Sequence, residues 1–171
     1  ELVDACKGCY ATTGNYLFPN VKAPRLHNKE DWQRAEWVAD MIAELDNDRY
    51  FRWFDSGDMY DLRLAKKMLE ICRTRHWIPT RMHKFKKFRK VIDELNKLEN
   101  VVVRLSSDGV NGEIIDGVNT STIIPYDDSP TVAEICKAYL NDGKCGTCRS
   151  CWNKDVPVVA YVAHGQRMKK V

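Results

Sequence analysis

The chain has 171 residues, 44% of them hydrophobic and 30% charged, and folding at this size removes roughly 70% of the unfolded surface from water, enough for one real core. No window approaches the ~18 uninterrupted apolar residues of a membrane-spanning helix, and the balance excludes a wholly disordered chain. Its 27 basic and 24 acidic residues leave a net charge of +3, too little to argue for a nucleic-acid partner unless the charge is local.

In chain order, β-rich runs alternate with helix-period segments, the pattern of an α/β fold with a mainly parallel sheet, here read as one domain over residues 1–171. Trp32, Ala35, Val38, Met41, Ile42 and Leu45 recur at three- and four-residue steps and predict an amphipathic helix over residues 30 to 46. Arg49 to Phe54 reads as a strand. Leu64, Ala65, Met68, Leu69 and Cys72 mark a second helix, with Cys72 a small core residue on its stripe. The run at Trp77 and Ile78 is expected at a strand end or sheet edge because Pro79 follows. Phe85, Phe88, Ile92 and Leu95 make a third helical stripe, ahead of the best strand, Val101 to Leu105. Asp108 to Asn119 reads as a long loop, Thr122 to Ile124 as a weaker strand. Ser129 and Pro130 resemble an N-cap and first helical position for a helix carrying Val132, Ile135, Cys136, Tyr139 and Leu140, stopped by Gly143. Val156 to Val162 is the last strand.

Seven cysteines, an odd number, argue against a pure disulfide framework. Cys6 and Cys9 form one C-x-x-C; Cys145, Cys148 and Cys151 form C-x-x-C-x-x-C. The turn inside such a motif brings both sulfurs to one side, and a third cysteine at the same interval extends the cage. The triple matches the first three ligands of a ferredoxin-type run, whose fourth position is here Asp155, so the fourth ligand must be remote: Cys136, Cys6 or Cys9. Zinc is the competing metal, since paired C-x-x-C motifs also build a four-cysteine structural site. A pair plus a triple suits an iron–sulfur cluster, for which 4Fe-4S is the expected type, better than a zinc ribbon, or suggests two sites sharing the spare thiols. Cys136 reads equally as a core residue on its apolar stripe.

Cys6-Lys7-Gly8-Cys9-Tyr10-Ala11, continuing through Gly14, Tyr16, Pro19 and Val21, together with Cys145 to Trp152, resembles the phage family called gene product 88 over nearly the whole chain. The likeness extends to Ser56-Gly57-Asp58 with Tyr60, to Asp108-Gly109, and to Tyr161 and His164. It implies a phage-encoded protein, in the host cytoplasm, with iron–sulfur ligands at both ends. The opening is also similar, more loosely, to phage proteins related to radical S-adenosylmethionine enzymes. That likeness implies a partial barrel in which Ser56, Gly57 and Asp58 form the strand end that binds the cofactor's methionyl amine. The third N-terminal cysteine it calls for would lie before Glu1.

Arg73 to Lys90 holds eight Lys or Arg and no Asp or Glu. Lys84, Lys86, Lys87, Arg89 and Lys90 could grip nucleic-acid phosphates, although Phe85 and Phe88 at helical spacing are expected to turn inward and leave the cations as a solvated face. Asp55 and Asp58 end a strand where open α/β sheets place ligands, and Asp108 could complete a metal site with them. The expected protein is thus an α/β domain with a parallel open sheet or partial barrel. It carries an iron–sulfur centre used in redox or radical-type chemistry; the alternative is a metal-stapled nucleic-acid-binding module. No membrane partner is expected.

Overall fold

The computed structural model describes residues 3–46, 49–71, 74–129 and 131–164. Its six strands are β1 Tyr50–Arg52, β2 Arg75–Thr80, β3 Val101–Val110, β4 Thr120–Ile124, β5 Glu134–Cys136 and β6 Val158–Val162. All pair in parallel, in the order β1-β2-β3-β4-β6-β5. Thr80 at the end of β2 lies opposite Leu105, and Leu105 lies opposite Thr120 at the start of β4. This progressive offset curls the sheet into an open half-barrel, because staggered register and strand tilt are linked.

The helices are α1 Asp4–Lys7, α2 Pro19–Asp31, α3 Trp37–Leu45, α4 Leu62–Ile71 and α5 Lys86–Lys97. Of these, α3, α4 and α5 pack into one core against the outer face of the first three strands. Leu64, Ala65, Met68 and Ile71 of α4, with Phe88, Val91, Ile92 and Leu95 of α5, bury against Ile78, Val101 and Val103. Each large apolar side chain so buried contributes roughly 1.5–3 kcal/mol. Lys154 donates to the carbonyls of Asn96 and Leu98 at 2.7 Å each, satisfying acceptors that the end of α5 leaves open. The inner face has its own apolar cluster, Trp77, Cys151 and Val159, against which Cys136, Trp152, Val156 and Tyr161 pack.

Five expectations need correction. The loop expected over Asp108 to Asn119 begins later, because β3 runs on to Val110. The helix expected over 30 to 46 is two: the chain breaks between Asp31 and Trp37, where Lys67 Nζ takes the carbonyls of Trp32 and Arg34 at 2.8 Å. α2 escaped notice because none of its side chains is buried, so it carries no apolar stripe. The helix expected beyond Ser129 is strand β5 followed by a 3-10 turn, Ala138–Leu140. Val132 and Leu140 stay 87% and 69% exposed, so the stripe had no surface to bury against, whereas pairing with β6 gives the backbone its partners. Pro79 sits inside β2, an interior strand. The His76 N–H bonds toward β3 and the Trp77 carbonyl toward β1, so alternation turns the Pro79 nitrogen to the β1 side, past the last β1 pair, Arg52 with Trp77, where no donor is missed. Phe85 precedes α5 and is 49% exposed, while Phe88 is buried. Cys72, Arg73 and Pro130 lie outside the described residues.

Candidate metal centre

The C-terminal cysteine segment lies across the inner face, and one side chain holds it there. Arg104, on β3 and without exposed surface, donates to six carbonyl oxygens: Cys151 through Nε at 3.1 Å, Thr120 and Pro157 through Nη1 at 3.3 and 3.4 Å, and Ser150, Asn153 and Val156 through Nη2 at 2.7, 2.9 and 3.0 Å. Trp152 anchors the other side of the segment, its indole N–H bonded to the Phe51 carbonyl at 2.9 Å and its ring edge-on to Trp77.

This placement gathers four thiols. Cys151 is buried, Cys136 is half-buried on β5, and Cys145 and Cys148 are exposed. Burial pushes the Cys151 thiol up to about 11; the Tyr161 hydroxyl and Arg104 pull it down, and Cys136 and Cys145 push it further up. Cys136 is raised by burial and then by Cys145 and Cys148, with Arg52 opposing. Cys136 thus lies within electrostatic reach of Cys145 and Cys148, and Cys151 within that of Cys136 and Cys145. Cys151 Sγ is 3.2 Å from the Tyr161 hydroxyl, and Cys148 Sγ 3.3 Å from that of Ser150, which in turn donates to Glu134. Tyr161, directly opposite Cys136 in register, is raised well above its usual range by burial and then by the neighbouring Cys151. Among the described residues, no three His, Cys, Asp or Glu side chains form a ready-made metal site. In chemistry, though not in this side-chain arrangement, four thiols with Arg104 and Arg52 as nearby cations are the donors that a thiolate-held metal or cluster takes.

The other cysteine pair lies elsewhere. Cys6 and Cys9 are half-buried at α1, which packs on β3, with the Cys9 N–H bonded to the Cys6 carbonyl at 3.2 Å. Neither figures among the charges acting on Cys136 or Cys151. The structure packs Cys136 against the apolar cluster that holds Cys151, beside the triple.

Ser56, Gly57 and Asp58 do follow the first strand, and Gly57, at φ +95°, supplies the turn. The Asp58 carboxylate accepts from the Thr80 hydroxyl at 2.6 Å and from the Met59 and Arg81 N–H groups at 2.7 Å each. It pins the turn after β1 to the end of β2, and burial raises its pKa against those bonds. Ser56 accepts from Arg25, and Asp55 from the Tyr16 hydroxyl at 2.8 Å, which ties the N-terminal segment to the same turn. Asp108 faces Lys84 and Arg81. Each of the three carboxylates is thus engaged by a donor or a cation, and they do not gather around a common point. His164 Nδ1 lies 3.0 Å from the Val162 carbonyl.

Arg104 is the site residue that sequence reasoning missed. Its signal was one charge inside an apolar run, Val101-Val102-Val103-Arg104-Leu105, where strands covered on both faces are otherwise apolar.

Fold and site define the class: an all-parallel α/β half-barrel whose inner face holds an arginine-anchored, cysteine-bearing segment. The family model described as gene product 88 matches residues 3–170, and the chain belongs to that family. No curated protein and no solved structure matches it. Among the described residues no helix is long and apolar enough to cross a membrane.

Proposed function

We propose that the protein is an iron–sulfur protein whose centre is held by Cys136, Cys145, Cys148 and Cys151. The observation that carries this reading is that Cys136, 9 residues before the triple in sequence, lies opposite Tyr161 on the neighbouring strand, that the Tyr161 hydroxyl is 3.2 Å from Cys151 Sγ, and that Ser150, 3.3 Å from Cys148 Sγ, bonds to Glu134 of the same strand as Cys136. A cluster there would supply one-electron chemistry, at a site whose potential follows hydrogen bonding and burial. The chain's own part is to hold the thiols at the inner face of the half-barrel, with Cys151 shielded and Cys145 and Cys148 accessible. Zinc on the same thiols is the competing occupant. Such thiols persist in a reducing cytosol, which suits a host cytoplasm. The test is anaerobic purification followed by iron, sulfide and zinc analysis: iron with acid-labile sulfide, lost in Cys136→Ala and kept in Cys9→Ala, is expected. Stoichiometric zinc from iron-rich cultures would refute the cluster, and retention of the metal by Cys136→Ala would refute the ligand set.

A second reading has one observation in its favour. Phe85 is exposed amid Lys84, Lys86, Lys87, Arg89 and Lys90, an aromatic platform in a basic surface, as single-stranded nucleic acid requires. Two of these cations already face carboxylates, Lys84 with Asp108 and Lys90 with Glu94, while Arg89 donates to the His83 carbonyl at 3.3 Å and Lys87 lies over the Phe88 ring, so Lys86, Lys87 and Arg89 have no carboxylate to release before meeting phosphates.

A further inference from the structure

We propose that Arg104 is the positioning residue of the cysteine centre, shaping the cysteine-bearing segment from within and setting a fixed positive charge beside the thiolates. This rests on the four-cysteine reading above. A guanidinium withdrawn from water must be compensated in full. Here the compensation comes from carbonyls, four of them contributed by Ser150, Cys151, Asn153 and Val156. Those carbonyls converge on one planar fork, so the backbone of residues 150 to 156 wraps around the guanidinium. With its donors spent on carbonyls, Arg104 reaches the sulfurs through two routes only: the shape of the loop and charge through space. No carboxylate pairs with it among the described residues. The ionisable groups acting on it are, in order, Cys151, Tyr161 and Glu134, and Cys151, whose carbonyl its Nε holds, would balance this buried cation once metal binding had removed the thiol proton.

The two routes are separable. Lysine at 104 keeps the charge without the fork; methionine keeps neither. The full chain and its Arg104→Lys and Arg104→Met variants are titrated anaerobically with Co2+, whose thiolate charge-transfer absorption reports sulfur ligation, with far-UV circular dichroism as the fold control. Arg104→Met is expected to fold and to bind Co2+ about tenfold more weakly or worse, the range for residues that orient ligands. Arg104→Lys is expected to recover part of that affinity, which a purely structural role would not allow. A folded Arg104→Met that binds like wild type, or equal losses in both variants, would overturn the proposal. If Arg104→Met does not fold, the wild type decides: trypsin should cut after Arg149 and Lys154 no faster in chelator-treated protein than in Co2+-loaded protein. Faster cutting without metal would mean that the metal shapes the loop and that Arg104 does not. A wild type with no thiolate–Co2+ absorption would instead sink the four-cysteine reading itself.

Discussion

His76 makes the protein's stability depend on pH in a window that can be stated in advance. It is fully buried on β2, its Nδ1 accepts the Trp53 indole N–H at 2.9 Å, and the two rings stack. Protonation would destroy that acceptor and place a charge in the core; burial accordingly lowers its pKa from 6.5 to about 4. Between those values the unfolded chain binds the proton and the folded chain does not. The contribution is therefore whole above pH 6.5 and is lost as pH falls from 6.5 to 4. At ~1.4 kcal/mol per pH unit, that interval is worth about 3 kcal/mol. A protein of this size moves by ~2–4 °C per kcal/mol, so the melting temperature should fall by roughly 6–12 °C more in wild type than in His76→Gln, which keeps an acceptor for Trp53 but cannot titrate. The assay is thermal unfolding by near-UV circular dichroism from pH 7.5 to 4; Asp58 and the half-buried His83 titrate in both proteins and cancel in the difference. Parallel pH profiles for the two proteins would refute the reasoning.

Asp58→Ala removes the acceptor of three hydrogen bonds and should cost about 3–5 kcal/mol, read as a urea midpoint shift; a shift near zero would show that water replaces it freely. Because those bonds already occupy its carboxylate, S-adenosylmethionine is expected to produce no Asp58-dependent change in the reduced protein's paramagnetic resonance spectrum, and a clear one would revive the cofactor role of Ser56 to Asp58. Phe85→Ala and the reversal of Lys86, Lys87 and Arg89 to Glu should each weaken single-stranded DNA binding, the reversal also flattening its salt dependence; unchanged binding would return the tract to a solvated face. Lys154→Met should destabilise by about 1–3 kcal/mol, since the Asn96 and Leu98 carbonyls lose their shared donor, and a neutral outcome by chemical denaturation would count against that cap.

The α/β class and the parallel sheet were legible because the outer-face elements carry strong periods: the stripes of α4 and α5 and the aliphatic run of β3 each bury where their spacing says. The segment from Thr131 to Gly143 was not legible. Its apolar residues fit a helix as well as a short strand and turn, and only pairing with β6, which lies far along the chain, decides between them. Phe85 misled for a related reason, since helical spacing does not reveal that the helix begins one residue later. The cysteine triple was plain in the sequence, whereas its proximity to Cys136 depends on β5 being a strand beside Tyr161. Arg104 could be seen as odd but not as an anchor, because its acceptors lie 46 to 53 residues away, Thr120 excepted.

That separation in sequence becomes an interval in time while the chain is being made. Translation at ~5–20 residues per second puts about 2–10 s between the synthesis of Arg104 and that of Ser150 to Pro157. During that interval the outer-face helices can associate with β1 and β2, joined by β3 and then β4 as these are made, yet the guanidinium and Trp77 line a hollow with nothing laid across it. The cysteine segment is thus the nascent chain's late-arriving cover. A product terminated before Ser150 would leave the ribosome with a buried-type cation and an apolar hollow open to solvent, a form suited to capture by chaperones and to aggregation rather than to function.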